Sequence, residues 1–189
     1  MHYLQLKAVP IVGRAMFGKL EGFARADALR SGLAFGSSFP STALFRATSA
    51  TGLDSLCDFL CVPGSLLVVS EAARKVLKRV PGVELLKVGI ADPSGRAIDK
   101  KYFLANPIEL VDCLDPDKTS FELQPGNPDV WAEVTDVTLA PQCLPKNRPL
   151  FRVKHATSLT LVRDDLAMLF KAAKLTGYDV SDLSTFRWP

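Results

Sequence analysis

The sequence lacks the features that would place the protein in a membrane or outside the cell. No apolar run approaches the roughly 20 residues that a helix needs to cross a bilayer. The first residues do not combine a basic region with an unbroken apolar segment, as a secretion signal does. Only four cysteines occur in 189 residues, without the spacing of a disulfide framework. We therefore expect a cytoplasmic protein whose thiols are free and mostly buried.

Histidine is scarcer still, which limits metal binding and acid–base catalysis. Only His2 and His155 are present, so a zinc site built on Cys57 and Cys61 would need further ligands that the chain hardly offers. The GxSxG, GxxxxGK and HExxH motifs are all absent. Either thiol could lie near His155 in the fold. A chance contact of this kind would not be evidence of a catalytic pair. We expect no catalytic residue, no cofactor and no metal ion, and therefore not an enzyme.

Basic residues are present without the aromatic residues that nucleic-acid binding favours. The formal net charge is only +3. One predicted helix face carries Arg74, Lys75, Lys78 and Arg79. Because no aromatic side chains are interleaved with them for stacking on bases, we interpret this face as solvated.

Acidic residues, in contrast, are concentrated in one segment. Residues 109–136 contain eight acidic residues and one basic residue, whereas basic residues outnumber acidic ones on both sides. A concentrated charge of one sign steers a partner of opposite charge. The alternative interpretation is a solvated loop.

Two segments have the pattern strand, helix, strand. In the first, residues 66–69 have the composition of a strand, and the Ser70 oxygen can cap the helix that follows. Pro81 and Gly82 end that helix, and residues 83–90 resume an extended pattern. The stripe predicted to be buried comprises Ala72, Ala73, Val76, Leu77 and Val80.

The second segment repeats this pattern near the C-terminus. It predicts a strand over residues 159–162, a helix over 164–174, a break at Gly177 and a short strand from Tyr178. Arg163 stands where the first segment has its capping serine, so this helix lacks an oxygen cap unless Asp164 supplies one. The stripe predicted to be buried comprises Leu166, Leu169, Phe170 and Ala173.

The fold class predicted from these patterns is α+β. We expect a single compact domain, residues 1–189, in which both strand–helix–strand units pack on a mixed or antiparallel sheet. Further strands are predicted over residues 1–8, 102–105, 108–113, 131–139 and 149–154, with a turn at 92–95. Residues 23–31 predict one or two helical turns and residues 54–61 a short helix, whereas residues 33–52 and 115–128 predict loops.

Seven segments, taken in order, carry a resemblance that no single residue carries. They are FGSSFP, CDFL, SLLVVSEAARKVLKRV, GVELLKV, KYFLANPIELVDCLD, PLFRV and KLTGYDV. From about residue 20 to residue 180 they resemble the family-eleven immunity proteins of bacterial polymorphic-toxin systems. The chain departs from that pattern at Arg163, where family members often repeat a serine, and in the long loop after Asp117.

The resemblance implies a role in binding rather than in catalysis. Such an immunity protein binds a cognate toxin inside the producing cell, in many cases a nuclease, and blocks it. The expected partner is therefore a toxin or effector domain, with no direct nucleic acid, membrane or small-molecule substrate. The alternative is a non-catalytic small-molecule or regulatory binding module on the same scaffold, and an enzyme comes third.

The charge pattern, together with the implied nuclease, predicts where the toxin binds. A nuclease attracts phosphates, so its working surface is basic, and an inhibitor covers it best by presenting carboxylates. Asp115, Asp117, Glu122 and Asp129 lie in the most loop-like part of the acidic segment. We expect these four residues to form the toxin interface.

Overall fold

Strands dominate the regular structure of the protein. The computed structural model of the chain describes residues 2–186, apart from the side chains of residues 127–130 and 185. The strands are β1 (Tyr3–Ala8), β2 (Phe17–Glu21), β3 (Leu44–Ala47), β4 (Phe59–Leu60), β5 (Leu67–Ser70), β6 (Val83–Ala91), β7 (Tyr102–Pro107), β8 (Leu110–Val111), β9 (Ser120–Gln124), β10 (Asn127–Thr135), β11 (Leu150–Val153), β12 (Thr160–Arg163) and β13 (Tyr178–Ser181). The α-helices are α1 (Glu71–Leu77) and α2 (Asp164–Ala172).

The strands form two mixed sheets and one separate hairpin. One sheet has five strands in the order β13-β1-β12-β11-β8, and the other has six in the order β2-β3-β6-β7-β5-β4. The β8–β11 and β3–β6 pairs are parallel, and the other pairs are antiparallel. Within the described part of the chain, β9 and β10 pair only with each other. The fold class is α+β, as predicted.

The first helix begins at the residue that the sequence indicates. The Ser70 Oγ accepts a hydrogen bond from the Ala73 amide at 3.3 Å and donates one to Asp58 Oδ1 at 2.6 Å. Ser70 thereby accepts a hydrogen bond from one of the amides that have no partner within the first turn of α1, as a serine N-cap does. Within the predicted stripe, Ala73 and Leu77 are buried, Val76 and Val80 are half-buried, and Ala72 is exposed.

The second helix begins without a side-chain cap at Arg163. Instead, Asp165 Oδ1 accepts the Leu166 amide at 2.9 Å, and the same carboxylate pairs with the Arg163 guanidinium at 2.7 and 2.8 Å. The bonds from Arg163 hold the pKa of Asp165 below its ordinary value. Half of the predicted stripe is wrong: Leu166 and Phe170 are buried, but Leu169 and Ala173 are exposed.

Both helices contribute to one apolar cluster that also joins the two large sheets. Leu77 of α1 and Phe170 of α2 lie in it with Leu6 of β1 and Val69 of β5. The prediction that the two units share one core is therefore confirmed. A second cluster covers the other face of the six-stranded sheet, and a third lies on the other face of the five-stranded sheet, where Val134 of β10 packs with Phe151 of β11.

Three predictions about connecting segments are wrong. Residues 54–61 form a single 3-10 turn (Leu53–Ser55) and the short strand β4 rather than one helix. The predicted loop over 115–128 becomes the strand β9 and the start of β10. Residues 33–52, interpreted as loops, contain β3, and β2 was not predicted at all. In each case the strand is short or polar and is held by distant partners, which local patterns do not reveal.

Candidate functional site

The acidic segment folds largely into a hairpin, which we call the acidic hairpin (residues 120–135). Its turn lies at residues 125 and 126, and Gly126 there has a left-handed φ of 80°. Val134 is fully buried, and Phe121 and Trp131 are half-buried against the third cluster. Because successive side chains of a strand point to opposite faces, the other face of this hairpin is left to solvent.

That outer face carries two glutamates directly opposite each other. In the register of the hairpin, Glu122 of β9 pairs with Glu133 of β10, and Ser120 pairs with Thr135. Both glutamates are exposed, and neither forms an ion pair within the described part of the chain. Like charges directly across a strand pair are destabilising. A cationic partner would relieve this repulsion.

The four predicted interface residues occupy different environments. Glu122 lies on the outer face of the acidic hairpin, and Asp117 is exposed in the turn before it. The side chain of Asp129 lies outside the described residues. Asp115 is half-buried and engaged within the chain, unlike the exposed Asp117 and Glu122.

Asp115 holds the turn that leads into β9. Its carboxylate accepts the Asp117 amide at 3.1 Å and lies 3.0 Å from the Lys118 Nζ, while its own amide donates to the Thr138 carbonyl at 2.9 Å. The bond from Lys118 lowers the pKa of Asp115 below its ordinary value. This carboxylate therefore positions the base of the hairpin and remains charged at neutral pH.

A stack of rings fastens the inner face of the acidic hairpin to the rest of the protein. The Phe121 and Trp131 rings stack with centroids 3.8 Å apart, and the Trp131 ring stacks on His155, which follows β11, at 4.5 Å. The His155 Nε2 lies 3.7 Å from Asp112 Oδ2, which also accepts a bond from Lys154 at 2.9 Å. The stack holds the hairpin so that its glutamates face outward.

Sequence reasoning missed Glu133 and this stack. Alternation was the available signal, since Phe121 and Glu122 are neighbours in a strand and must point to opposite faces. Residues 115–128 were instead interpreted as a loop.

The thiols do not form a catalytic pair with histidine. Cys57 and Cys113 are buried, Cys61 is half-buried and Cys143 is exposed. Burial raises the pKa of the Cys57 and Cys61 thiols, and it raises the pKa of Cys113 to about 12, so these three thiols stay protonated at neutral pH. His155 contacts Trp131 and Asp112 instead of a thiol.

Among the described residues, no group of three or more histidine, cysteine, aspartate or glutamate side chains is arranged to hold a metal ion. None of the helices described is both long enough and apolar enough to span a membrane.

Comparison with protein families gives a match. A family model described as an immunity protein family, Imm11, matches residues 10–185, which is nearly the whole chain. No match is found among curated proteins.

Proposed function

The chain belongs to the immunity protein family Imm11, and from this premise we propose that it binds and neutralises a cognate toxin, a nuclease effector, in the cytoplasm of the producing cell. It acts by binding alone and carries out no reaction. The observation that supports a basic partner, which the family alone does not indicate, is the Glu122–Glu133 pair. Both glutamates are exposed on the acidic hairpin and have no ion-pair partner in the described part of the chain.

Charge complementarity supports a nuclease as the partner. A surface that binds the phosphates of a nucleic acid is rich in lysine and arginine. When such a surface meets Glu122 and Glu133, the attraction of both carboxylates to the cations offsets the repulsion between the two glutamates. Bound there, the hairpin occupies the phosphate-binding surface and excludes the nucleic acid.

The acidic hairpin is part of a larger contact. A stable protein–protein interface buries about 800 Å² on each partner, or roughly 20 to 30 residues. We include Asp117 and Asp129 with the two glutamates, because all four belong to the acidic segment on or beside the hairpin. Asp115 contributes its charge from the base of the hairpin. Exposed charges of this kind mainly accelerate association.

The direct test is binding to the toxin encoded beside the gene. Wild-type protein and the double variant Glu122→Gln/Glu133→Gln are titrated with that toxin at low and high salt, and nuclease activity is followed in parallel. We expect the variant to associate at least about tenfold more slowly at low salt and to show a flatter salt dependence. The fourfold variant of Asp115, Asp117, Glu122 and Asp129, with Asn or Gln at each position, extends the same test.

A matched control distinguishes the effect of charge on the acidic hairpin from the effect of the net charge of the protein. The variant Asp27→Asn/Asp99→Asn also removes two negative charges, but from exposed sites beside the six-stranded sheet. It should bind the toxin as the wild type does. Equal binding by wild type and the hairpin variant would refute the interface, and a neighbouring toxin without nuclease activity would refute the nuclease assignment. Failure of co-expression to rescue growth would refute the immunity role itself.

A further inference from the structure

Arg152 on β11 is fully buried and has no acidic partner. Its relative exposure is 0 %, and none of the ion pairs in the described chain includes it. Burial, reinforced by the nearby charge of Arg30, lowers the pKa of Arg152 to about 10, so the guanidinium still carries its charge at neutral pH. A buried charge without a counter-charge is strongly destabilising.

The hydrogen bonds of Arg152 leave one edge of the guanidinium free. Nη1 donates to the Ser65 carbonyl at 3.2 Å and to the Thr157 carbonyl at 3.0 Å, whereas Nε and Nη2 have no partner among the described residues. These two nitrogens form the side of the planar fork that binds a carboxylate through two parallel hydrogen bonds. Water could accept both bonds, but it would not neutralise the charge.

A second buried donor lies on the neighbouring strand. Thr160 is directly opposite Arg152 in the register of β11 and β12, and its hydroxyl has no hydrogen-bond partner among the described residues. Opposed residues on neighbouring strands share a face of the sheet. Thr160 is also opposite Leu6 of β1, so the three side chains form a row.

This row leads to a cavity of about 430 Å³. Leu6 lines it, as do Ser65, whose carbonyl binds Arg152, and Ser158, which follows Thr157. The Ser158 hydroxyl and the Gln5 Oε1 are likewise buried without a partner among the described residues. The turn at Pro63–Ser65 closes over this region, and Gly64 and Ser65 have left-handed φ values of 80° and 54°.

We propose that the free edge of Arg152 and the Thr160 hydroxyl bind a small carboxylate, which reaches them from this cavity when the Pro63–Ser65 turn opens. Two bonds from the guanidinium and one from the hydroxyl satisfy the three buried groups, and the anion supplies the missing charge. The fully buried guanidinium is out of reach for the surface of a folded partner, so the ligand is a small molecule. The site is separate from the acidic hairpin and does not depend on toxin binding.

The experiment uses sodium acetate as the probe, with sodium chloride added to hold ionic strength constant. In wild-type protein we expect the melting temperature to rise saturably with acetate, and the ¹⁵N-detected Nε–H resonance of Arg152 to shift with the same midpoint. Arg152→Met should lose the acetate response. The matched control Arg148→Met, which removes an arginine paired with Glu109, should keep it.

Each outcome decides the proposal. If Arg152→Met does not fold, the Nε–H titration in wild type decides alone, and an unmoved resonance overturns the site. An equal acetate response in Arg152→Met also overturns it. A response to inorganic phosphate without one to acetate refutes the carboxylate assignment.

Discussion

Replacing Phe170 by alanine tests the core that unites the two halves of the fold. The Phe170 ring is fully buried and packs edge-on against Phe59 at 5.5 Å and Tyr178 at 5.6 Å between centroids. A buried phenylalanine removes about 150 to 250 Å² from water. At about 25 cal/mol per Å² this corresponds to about 4 to 6 kcal/mol. Alanine retains part of that burial, so we expect a loss of about 3 to 5 kcal/mol.

The neighbouring residue provides the matched control. Leu169 lies on the same turn of α2 but is 55 % exposed, so Leu169→Ala should change the free energy of unfolding by no more than about 0.5 kcal/mol. Both values come from urea unfolding followed by far-UV circular dichroism, with equal slopes required for a valid comparison. A loss below about 1.5 kcal/mol for Phe170→Ala, or an equal loss for both variants, would refute the orientation of α2.

Other contacts can be tested in the same urea series. Ser70→Ala removes the cap of α1 and should lower the free energy of unfolding by about 1 kcal/mol, whereas Ser70→Thr, which keeps the oxygen, should not. Gly177→Ala places a Cβ 2.2 Å from a backbone oxygen and should destabilise far more than Gly126→Ala, which has a similar φ but open space; equal losses would contradict this. Asp92 accepts four hydrogen bonds, those from Ser94 foremost, which lower its pKa and stabilise the fold above about pH 3.9. Asp92→Asn should therefore have a lower free energy of unfolding than wild type at pH 7, but this free energy should fall less between pH 7 and pH 3. A pH dependence equal to that of wild type would contradict the role given to the Asp92 carboxylate.

Local signals in the sequence predicted the strand–helix–strand units well. Ser70, Pro81 and Gly82 act within a few residues of where they stand, so their meaning does not depend on the rest of the chain. The stripe on α2 was predicted too wide, because helical spacing alone cannot tell how much of a helix the sheet covers. Leu169 fits the spacing and is exposed nonetheless.

The candidate sites depend on pairings that the sequence does not display. Glu122 was predicted as an interface residue, but its repulsion by Glu133 follows only from the register of the acidic hairpin. Arg152 was placed correctly in an extended segment, yet its isolation from any acidic side chain in the described chain is a matter of tertiary packing. Counting charges along the sequence identifies an acidic segment, but it does not show which basic side chain is buried without a counter-charge.

The position of β1 determines when the protein can finish folding. This first strand lies between β12 and β13, so one of its edges stays unpaired until residue 163 has left the ribosome and the other until residue 181 has. Unpaired edges attract other chains, and contacts between such distant residues form slowly. A nascent or truncated chain thus lacks the five-stranded sheet against which the acidic hairpin packs. Under the proposed function, only chains whose synthesis has passed β13 protect the cell that makes them.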